Sequence, residues 1–175
     1  IGDAAGKVRV IRRDSPSVWT VYGIFRGGYS GDNQGQSVSL SADGTVLAIG
    51  AYGGNGSSQT KIYQYSSASD SWDQLGDAIN GEVAGEKFGY SVSLSADGTI
   101  LAVGAPYSDD NVTDIGNTRV YQYSSGSNSW SQLGTDIKGE ATGNYSGASV
   151  SLSSDGSILA IGAPNNDEIG NNSGH

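Results

Sequence analysis

Internal repetition is the feature that most constrains how this chain can fold. Three copies of one 15-residue pattern begin at Ser37, Ser91 and Ser149, and they read SVSLSADGTVLAIGA, SVSLSADGTILAVGA and SVSLSSDGSILAIGA. The copies lie 54 and 58 residues apart. Self-similarity at a nearly constant period indicates a repeat architecture, in which neighbouring units bury their apolar surfaces against one another.

A second pattern recurs with the first. It begins at Lys61 and Arg119, with a diverged copy at Lys7, and its three Trp residues fall in register at Trp19, Trp72 and Trp130. The last seven residues, 169–175, resemble residues 1–7. We therefore predict a diverged, basic repeat over 1–58, repeats over 59–115 and 116–168, and the start of a further repeat over 169–175. We expect that the chain continues, or that its end meets another copy.

Each repeat is predicted to contain four antiparallel strands. In SVSLS, Ser alternates with Val and Leu, which is the period of a half-buried strand. The Asp-Gly that follows predicts a hairpin in which both turn residues take positive φ. The next run is apolar or small throughout and suits a strand covered on both faces. A lone repeat has too few large apolar side chains to offset the entropy of ordering it, so we expect an all-β stack or propeller of blade-like repeats.

Composition excludes several classes of function. The chain has no Cys and one His, at the last position, which excludes disulfides, thiolate metal sites and a Ser-His-Asp triad. Its net charge of −9 argues against nucleic acid, and no apolar run approaches the roughly 18 residues that span a bilayer. No hydrolase elbow or phosphate-binding loop occurs, and the paired carboxylates Glu82 and Glu86 lie on one loop. The sequence therefore predicts that the chain is not an enzyme and has no cofactor.

The second repeat resembles a known family. It reads Phe88-Gly89, then SVSLSADGTILAV, then Gly104-Ala105-Pro106, which is similar to the FG-GAP repeat of the integrin alpha-subunit propeller and its secreted relatives. The resemblance implies an extracellular β-propeller blade, of which about seven usually form a ring. It also implies a calcium loop rich in Asp and Asn. Here only Asp43, Asp97 and Asp155 remain of that loop, so we interpret them as turn residues and do not carry the calcium role over.

Two other kinds of site are candidates. Four sequons predict N-glycosylation, and they lie at Asn55, Asn111, Asn144 and Asn171. Three of them, Asn55, Asn111 and Asn171, lie in the loop after the strand that ends in Gly-Ala. The acidic loop of Asp109, Asp110 and Asp114 offers oxygen ligands for calcium, although such a run is more often a solvated surface.

The remaining signals concern interaction. Tyr63, Tyr65, Tyr121, Tyr123 and the Trp residues could stack on a sugar, but packing between blades is the preferred interpretation. Residues 1–58 carry five basic and four acidic residues, and the remainder four and fourteen, which favours head-to-tail self-association. We predict a secreted, glycosylated structural or interaction module of a surface layer, adhesin or fibre. The alternative is a propeller that binds a glycan or protein through its loops.

Overall fold

The computed structural model of the chain describes residues 6–28, 31–53, 58–109 and 114–166. These residues form fourteen β-strands and no helix, which confirms the all-β prediction. The strands are β1 (Lys7–Ser15), β2 (Val18–Arg26), β3 (Ser37–Leu40), β4 (Val46–Tyr52), β5 (Ser58–Ser66), β6 (Ser71–Gln74), β7 (Ile79–Asn80), β8 (Ser91–Leu94), β9 (Ile100–Ala105), β10 (Asn117–Ser124), β11 (Ser129–Gln132), β12 (Ile137–Lys138), β13 (Ser149–Leu152) and β14 (Leu159–Gly162). Over the same ranges there is no helix that could cross a membrane.

The strands form two larger sheets and two hairpins. The first sheet has the order β3-β4-β5-β6 and the second the order β8-β9-β10-β11, and every pairing is antiparallel. The two-residue strand β7 pairs with the beginning of β5, on the same edge as β6. In the second sheet, β12 likewise pairs with the beginning of β10, on the same edge as β11. The pair β1-β2 forms the N-terminal hairpin, and the pair β13-β14 forms the C-terminal hairpin.

This arrangement differs from the predicted three units of four strands. Among the described residues, only the two sheets contain all four strand positions. The C-terminal hairpin corresponds to the first two positions, because Leu152 pairs with Leu159 as Leu94 pairs with Leu101. The N-terminal hairpin corresponds to the last two positions, because its second strand carries Trp19.

The sheets are also offset from the predicted repeats. In the first sheet, β3 and β4 lie before residue 58, whereas β6, β7 and nearly all of β5 lie after it. The second sheet likewise combines β8 and β9 with β10, β11 and β12, from either side of residue 115. One repeat of the sequence therefore contributes strands to two neighbouring sheets. The repeat boundaries themselves stay a prediction.

The Asp-Gly turns are wider than predicted. Gly44 has φ of 71°, whereas Asp43 is not among the residues with positive φ. The amide of Gly44 donates to the carbonyl of Ser41, and the amide of Ser41 donates to the carbonyl of Val46. The loop is thus a turn followed by one left-handed Gly, so only the Gly needs positive φ.

The sheets and hairpins pack face to face as successive layers. Val46, Ala48 and Ile62 of the first sheet pack against apolar residues of the second, including Leu101 and Val103. The N-terminal hairpin covers the other face of the first sheet, where Leu47 and Ile49 are buried. Strand β4 is buried over Val46–Ala51 because both of its faces are covered, which confirms the interpretation of the apolar run.

Candidate functional site

The three turn carboxylates are engaged inside their own turns. The Oδ1 atom of Asp43 accepts hydrogen bonds from Ser41 Oγ at 2.7 Å and from the amide of Thr45 at 2.9 Å. Equivalent bonds hold Asp97 and Asp155. These bonds lower the pKa of all three carboxyl groups, that of Asp155 to about 2. The interpretation as turn residues is confirmed by these contacts.

The acidic loop is described in part. Asp109 is exposed, and its Oδ1 accepts a hydrogen bond from the amide of Asp114 at 2.9 Å. Asp114 Oδ2 accepts from the hydroxyl of Tyr145 at 3.3 Å. Asp110 lies outside the described residues. Within the described ranges, no group of three or more His, Cys, Asp or Glu side chains is placed to hold a metal ion. The calcium site stays a prediction.

The sequons differ in how far the structure describes them. Asn55, Asn111 and Asn171 lie outside the described residues, so their glycosylation stays a prediction. Asn144 is described and is only 3% exposed, next to the buried Ser146 of its own sequon. The fold therefore encloses this side chain almost completely, and glycosylation at Asn144 stays a prediction.

Three of the four tyrosines that the sequence analysis singled out pack between the layers. Tyr63 contacts Phe25 of the N-terminal hairpin, with ring centroids 4.5 Å apart, and Tyr121 contacts Phe88 at 6.1 Å. Tyr65 lies 4.4 Å from Tyr22, whereas Tyr123 contacts Trp130 of its own sheet at 5.3 Å. The preferred interpretation, packing between blades, therefore holds for the first three.

A row of tyrosines that the sequence analysis missed crosses the layers along one side of the stack. The ring centroids of Tyr52 and Tyr90 are 5.5 Å apart, those of Tyr90 and Tyr107 are 6.4 Å apart, and those of Tyr107 and Tyr145 are 5.1 Å apart. Two of these residues recur in the sequence, because Tyr52 follows Gly50-Ala51 and Tyr107 follows Gly104-Ala105-Pro106. This recurrence is the signal in the sequence that could have revealed the row.

Lys87 lies over this tyrosine row. Its Nζ atom is 3.5 Å from the ring centroid of Tyr107 and 5.5 Å from that of Tyr52. Tyr90, Tyr107 and Tyr145 of the row also line a groove of about 320 Å³, together with Pro106, Ala148, Pro164 and Asn165. Ring faces and a cation at the side of a groove are suited to stacking against a sugar or an aromatic group of a partner.

A buried ion cluster surrounds Arg119 of β10. Arg119 is 2% exposed and donates to Glu86 Oε2 at 3.1 Å, Asp136 Oδ2 at 3.0 Å and Glu82 Oε2 at 3.3 Å. Burial by itself would lower the pKa of the guanidinium, but the charges and hydrogen bonds of Glu86 and Asp136 outweigh it and raise the pKa. Arg119 of β10 thus joins the paired carboxylates Glu82 and Glu86, which lie in the connection between β7 and β8.

The cluster adjoins a cavity of about 410 Å³. Its lining includes Glu82, Ser108, Asn117, Arg119, Asp136 and Lys138. Two buried atoms of the lining residues, Arg119 Nη1 and Asn117 Oδ1, have no hydrogen-bond partner. The residue of the first sheet that corresponds to Arg119 is Lys61, because it pairs with Ile49 as Arg119 pairs with Val103. The first sheet thus has a lysine at this position, and the buried guanidinium is particular to the second sheet.

Comparison with known proteins confirms the family resemblance. Residues 80–121 match the FG-GAP repeat, a stretch that begins in β7 and ends within β10. No curated protein matches the chain. Among solved structures, the chain is similar to a Bacteroides fragilis protein with the provisional assignment of a 6-phosphogluconolactonase, with a TM-score of 0.56 and 14% identity.

This structural match corrects one expectation. It covers 92% of the present chain and 37% of the matched one, and at 14% identity it shows the fold alone. The prediction that the chain is not an enzyme is nevertheless contradicted, because a protein with this fold carries the assignment of an enzyme. The absence of a hydrolase elbow and of a phosphate-binding loop excludes only the folds that carry those motifs.

Proposed function

We propose that the chain is a structural and interaction module of a secreted protein, whose blade-like sheets stack and continue into further copies to build a surface layer, adhesin or fibre. The observation that carries the proposal is a contact between sheets that is built twice from equivalent residues. Ser37 Oγ donates to the carbonyl of Gly89 at 2.8 Å, and Ser91 Oγ donates to the carbonyl of Gly147 at 2.8 Å.

Other bonds across the layers repeat in the same way. The amide of Leu94 donates to Ser39 Oγ at 3.0 Å, and the amide of Leu152 donates to Ser93 Oγ at 3.0 Å. A contact that recurs without change can be added again at either end of the stack, which is how repeat proteins extend. The FG-GAP match supports an extracellular setting, and the predicted glycans at Asn55, Asn111 and Asn171 would be consistent with it.

Electron microscopy of the native protein, together with light scattering over a range of concentrations, tests this proposal. Filaments, rings or oligomers that grow with concentration are expected. Particles that stay monomeric at every concentration would contradict it. Treatment with an N-glycosidase should lower the mass of the native protein if the sequons are occupied.

The tyrosine row supports a second candidate function, which is recognition of a glycan or protein by a propeller through its loops. The half-buried rings of Tyr90 and Tyr107 beside Lys87 give that side of the stack a surface on which a sugar or an aromatic group can stack. A glycan array tests this candidate. Binding that is lost in Tyr107→Ala but kept in Tyr123→Ala, whose ring packs on Trp130 away from the row, would support it.

A further inference from the structure

The cavity beside Arg119 is lined by two residues that each hold a polar atom without a hydrogen-bond partner. Nη1 of Arg119 and Oδ1 of Asn117 have none among the described residues, although both side chains are only 2% exposed. Buried donors and acceptors are nearly always paired with protein, with water or with a ligand, because leaving them unpaired costs free energy. An open donor and an open acceptor therefore belong to one cavity of about 410 Å³.

The other bonds of these two side chains hold the open atoms close together. Asn117 and Arg119 are two residues apart on β10, so their side chains lie on the same face of the sheet. Asn117 Nδ2 donates to Asp136 Oδ2 at 3.1 Å, and Arg119 Nε donates to the same oxygen at 3.0 Å. Asn117 Nδ2 also donates to Ser108 Oγ at 3.0 Å. The donors of the amide are thus used, and its oxygen is the group left for a ligand.

The charges around the cavity disfavour an anionic ligand. Three carboxylates, those of Glu82, Glu86 and Asp136, surround the guanidinium of Arg119 within 3.3 Å, so an anion would approach it against like charges. A metal ion is disfavoured by geometry, because within the described ranges no three His, Cys, Asp or Glu side chains are placed to hold one. A ligand that fits this site is therefore uncharged.

Hydroxyl groups match the open atoms, because each hydroxyl both donates and accepts a hydrogen bond. One hydroxyl accepts from Arg119 Nη1, and a neighbouring one donates to Asn117 Oδ1. We propose that this cavity binds a neutral sugar unit, which presents hydroxyl groups on adjacent carbon atoms. The volume of about 410 Å³ is within the range of small-molecule sites.

Glu82 gives the ligand a path to the guanidinium. Its side chain is 64% exposed, and its bond to Arg119 is the longest of the three at 3.3 Å. Glu86 is fully buried and keeps its bond to Arg119 at 3.1 Å. Rotation of Glu82 therefore opens the site to solvent, while Glu86 and Asp136 hold Arg119 in position.

The site is built once in a fold whose sheets otherwise repeat. The residues of the first sheet that correspond to Asn117 and Arg119 are Gln59 and Lys61. A lysine lacks the planar set of donors with which a guanidinium bonds two partners and keeps a third position open. Among the described residues, none that lines the cavity belongs to the tyrosine row. The inference is therefore independent of the proposed assembly and of recognition through that row.

Nuclear magnetic resonance on the unaltered, isotope-labelled chain tests the site. The probes are D-glucose, D-galactose and D-mannose, each added until no further change occurs. At least one sugar should shift the resonances of the Asn117 side-chain amide and of the Arg119 Nε–H group, whereas the side-chain amide of Gln59 should stay unchanged. D-glucuronate and calcium chloride at the same concentrations should shift them less. No shift with any of the three sugars, or a larger shift with glucuronate or calcium, overturns the proposal.

Variants identify the residues that bind the sugar. Asn117→Ala should weaken the affinity about tenfold or more, because a buried hydrogen bond is lost. Gln59→Ala, the matched control in the first sheet, should leave it unchanged, as should Tyr107→Ala. Affinity that falls in Tyr107→Ala but not in Asn117→Ala places the sugar on the tyrosine row and overturns this site while supporting the second candidate function. The titration of the unaltered chain decides the question if Asn117→Ala does not fold.

Discussion

The indole of Trp130 donates a hydrogen bond to the main-chain carbonyl of Leu75 at 2.9 Å, from the outer strand of the second sheet to the end of the outer strand of the first. Its counterpart, Trp72, makes the same contact to Tyr22 one layer earlier. The outer edges of the layers are therefore tied by a side chain rather than by packing alone.

Replacing Trp130 by Phe should test this tie. Phe retains an aromatic ring but leaves the carbonyl of Leu75 without its donor, so we expect a loss of about 1–3 kcal/mol in the free energy of unfolding. Trp19→Phe is the matched control, because Trp19 is largely exposed. Denaturant unfolding of dilute protein should show a clearly larger loss for the first variant, and equal losses would contradict the account.

Replacing Arg119 by Met should destabilise the second sheet strongly. The substitution leaves the fully buried Glu86 carboxylate without its cation, and removal of one partner of a buried ion pair typically costs about 3–5 kcal/mol. Lys61→Met changes the equivalent position of the first sheet, where no such cluster exists among the described side chains, and should cost far less. Thermal unfolding of the two variants checks this prediction, and similar melting temperatures would refute it.

The turn carboxylates should make stability depend on pH in the acid range. Their pKa values are lower in the folded state than the usual 3.8, and that of Asp155 is about 2. Their contribution is therefore complete above about pH 5, where the carboxyl groups of the unfolded state are also ionised, and is lost as the pH falls towards 2. A variant with Asn at Asp43, Asp97 and Asp155 should be less stable at pH 7. The difference between the two proteins in melting temperature should shrink between pH 4 and pH 2, and a constant difference would disprove the assignment.

Gly104→Ala should disrupt the contact between the second sheet and the C-terminal hairpin. An added Cβ would lie 2.0 Å from the carbonyl oxygen of Gly147, so the main chain has to shift, and we expect a loss of about 3 kcal/mol. At the equivalent Gly162 the close neighbour is the Oγ of Ser149, which can rotate away. Denaturant unfolding at low concentration should show a small loss for Gly162→Ala, and comparable losses would argue against the carbonyl contact.

The strands were predictable because their signals are local. The alternation of SVSL and the apolar run after Asp43 indicate a half-buried strand and a strand buried on both faces, whatever the neighbours are. The turn was predicted with the wrong geometry because an Asp-Gly pair fits two hairpin types. Hydrogen bonds from Ser41 and Thr45 to the carboxylate select the wider one.

The ion cluster could not be predicted because its members converge only in three dimensions. Glu86 and Arg119 are 33 residues apart in sequence and meet because one precedes β8 and the other lies on β10 of the same sheet. The tyrosine row depends in the same way on the stacking of layers. Tyr90 lies between β7 and β8 and Tyr145 lies between β12 and β13, and only the stack aligns them with Tyr107.

The offset between sequence repeats and sheets has a consequence for how such a chain can evolve. Each repeat contains the last strands of one sheet and the first strands of the next, so duplication of a gene segment of that length, begun at any codon, adds one whole sheet. The new sheet carries both surfaces of the contact and needs no compensating mutations. A single repeat cut out of such a chain, by contrast, would hold strands of two sheets and no complete sheet.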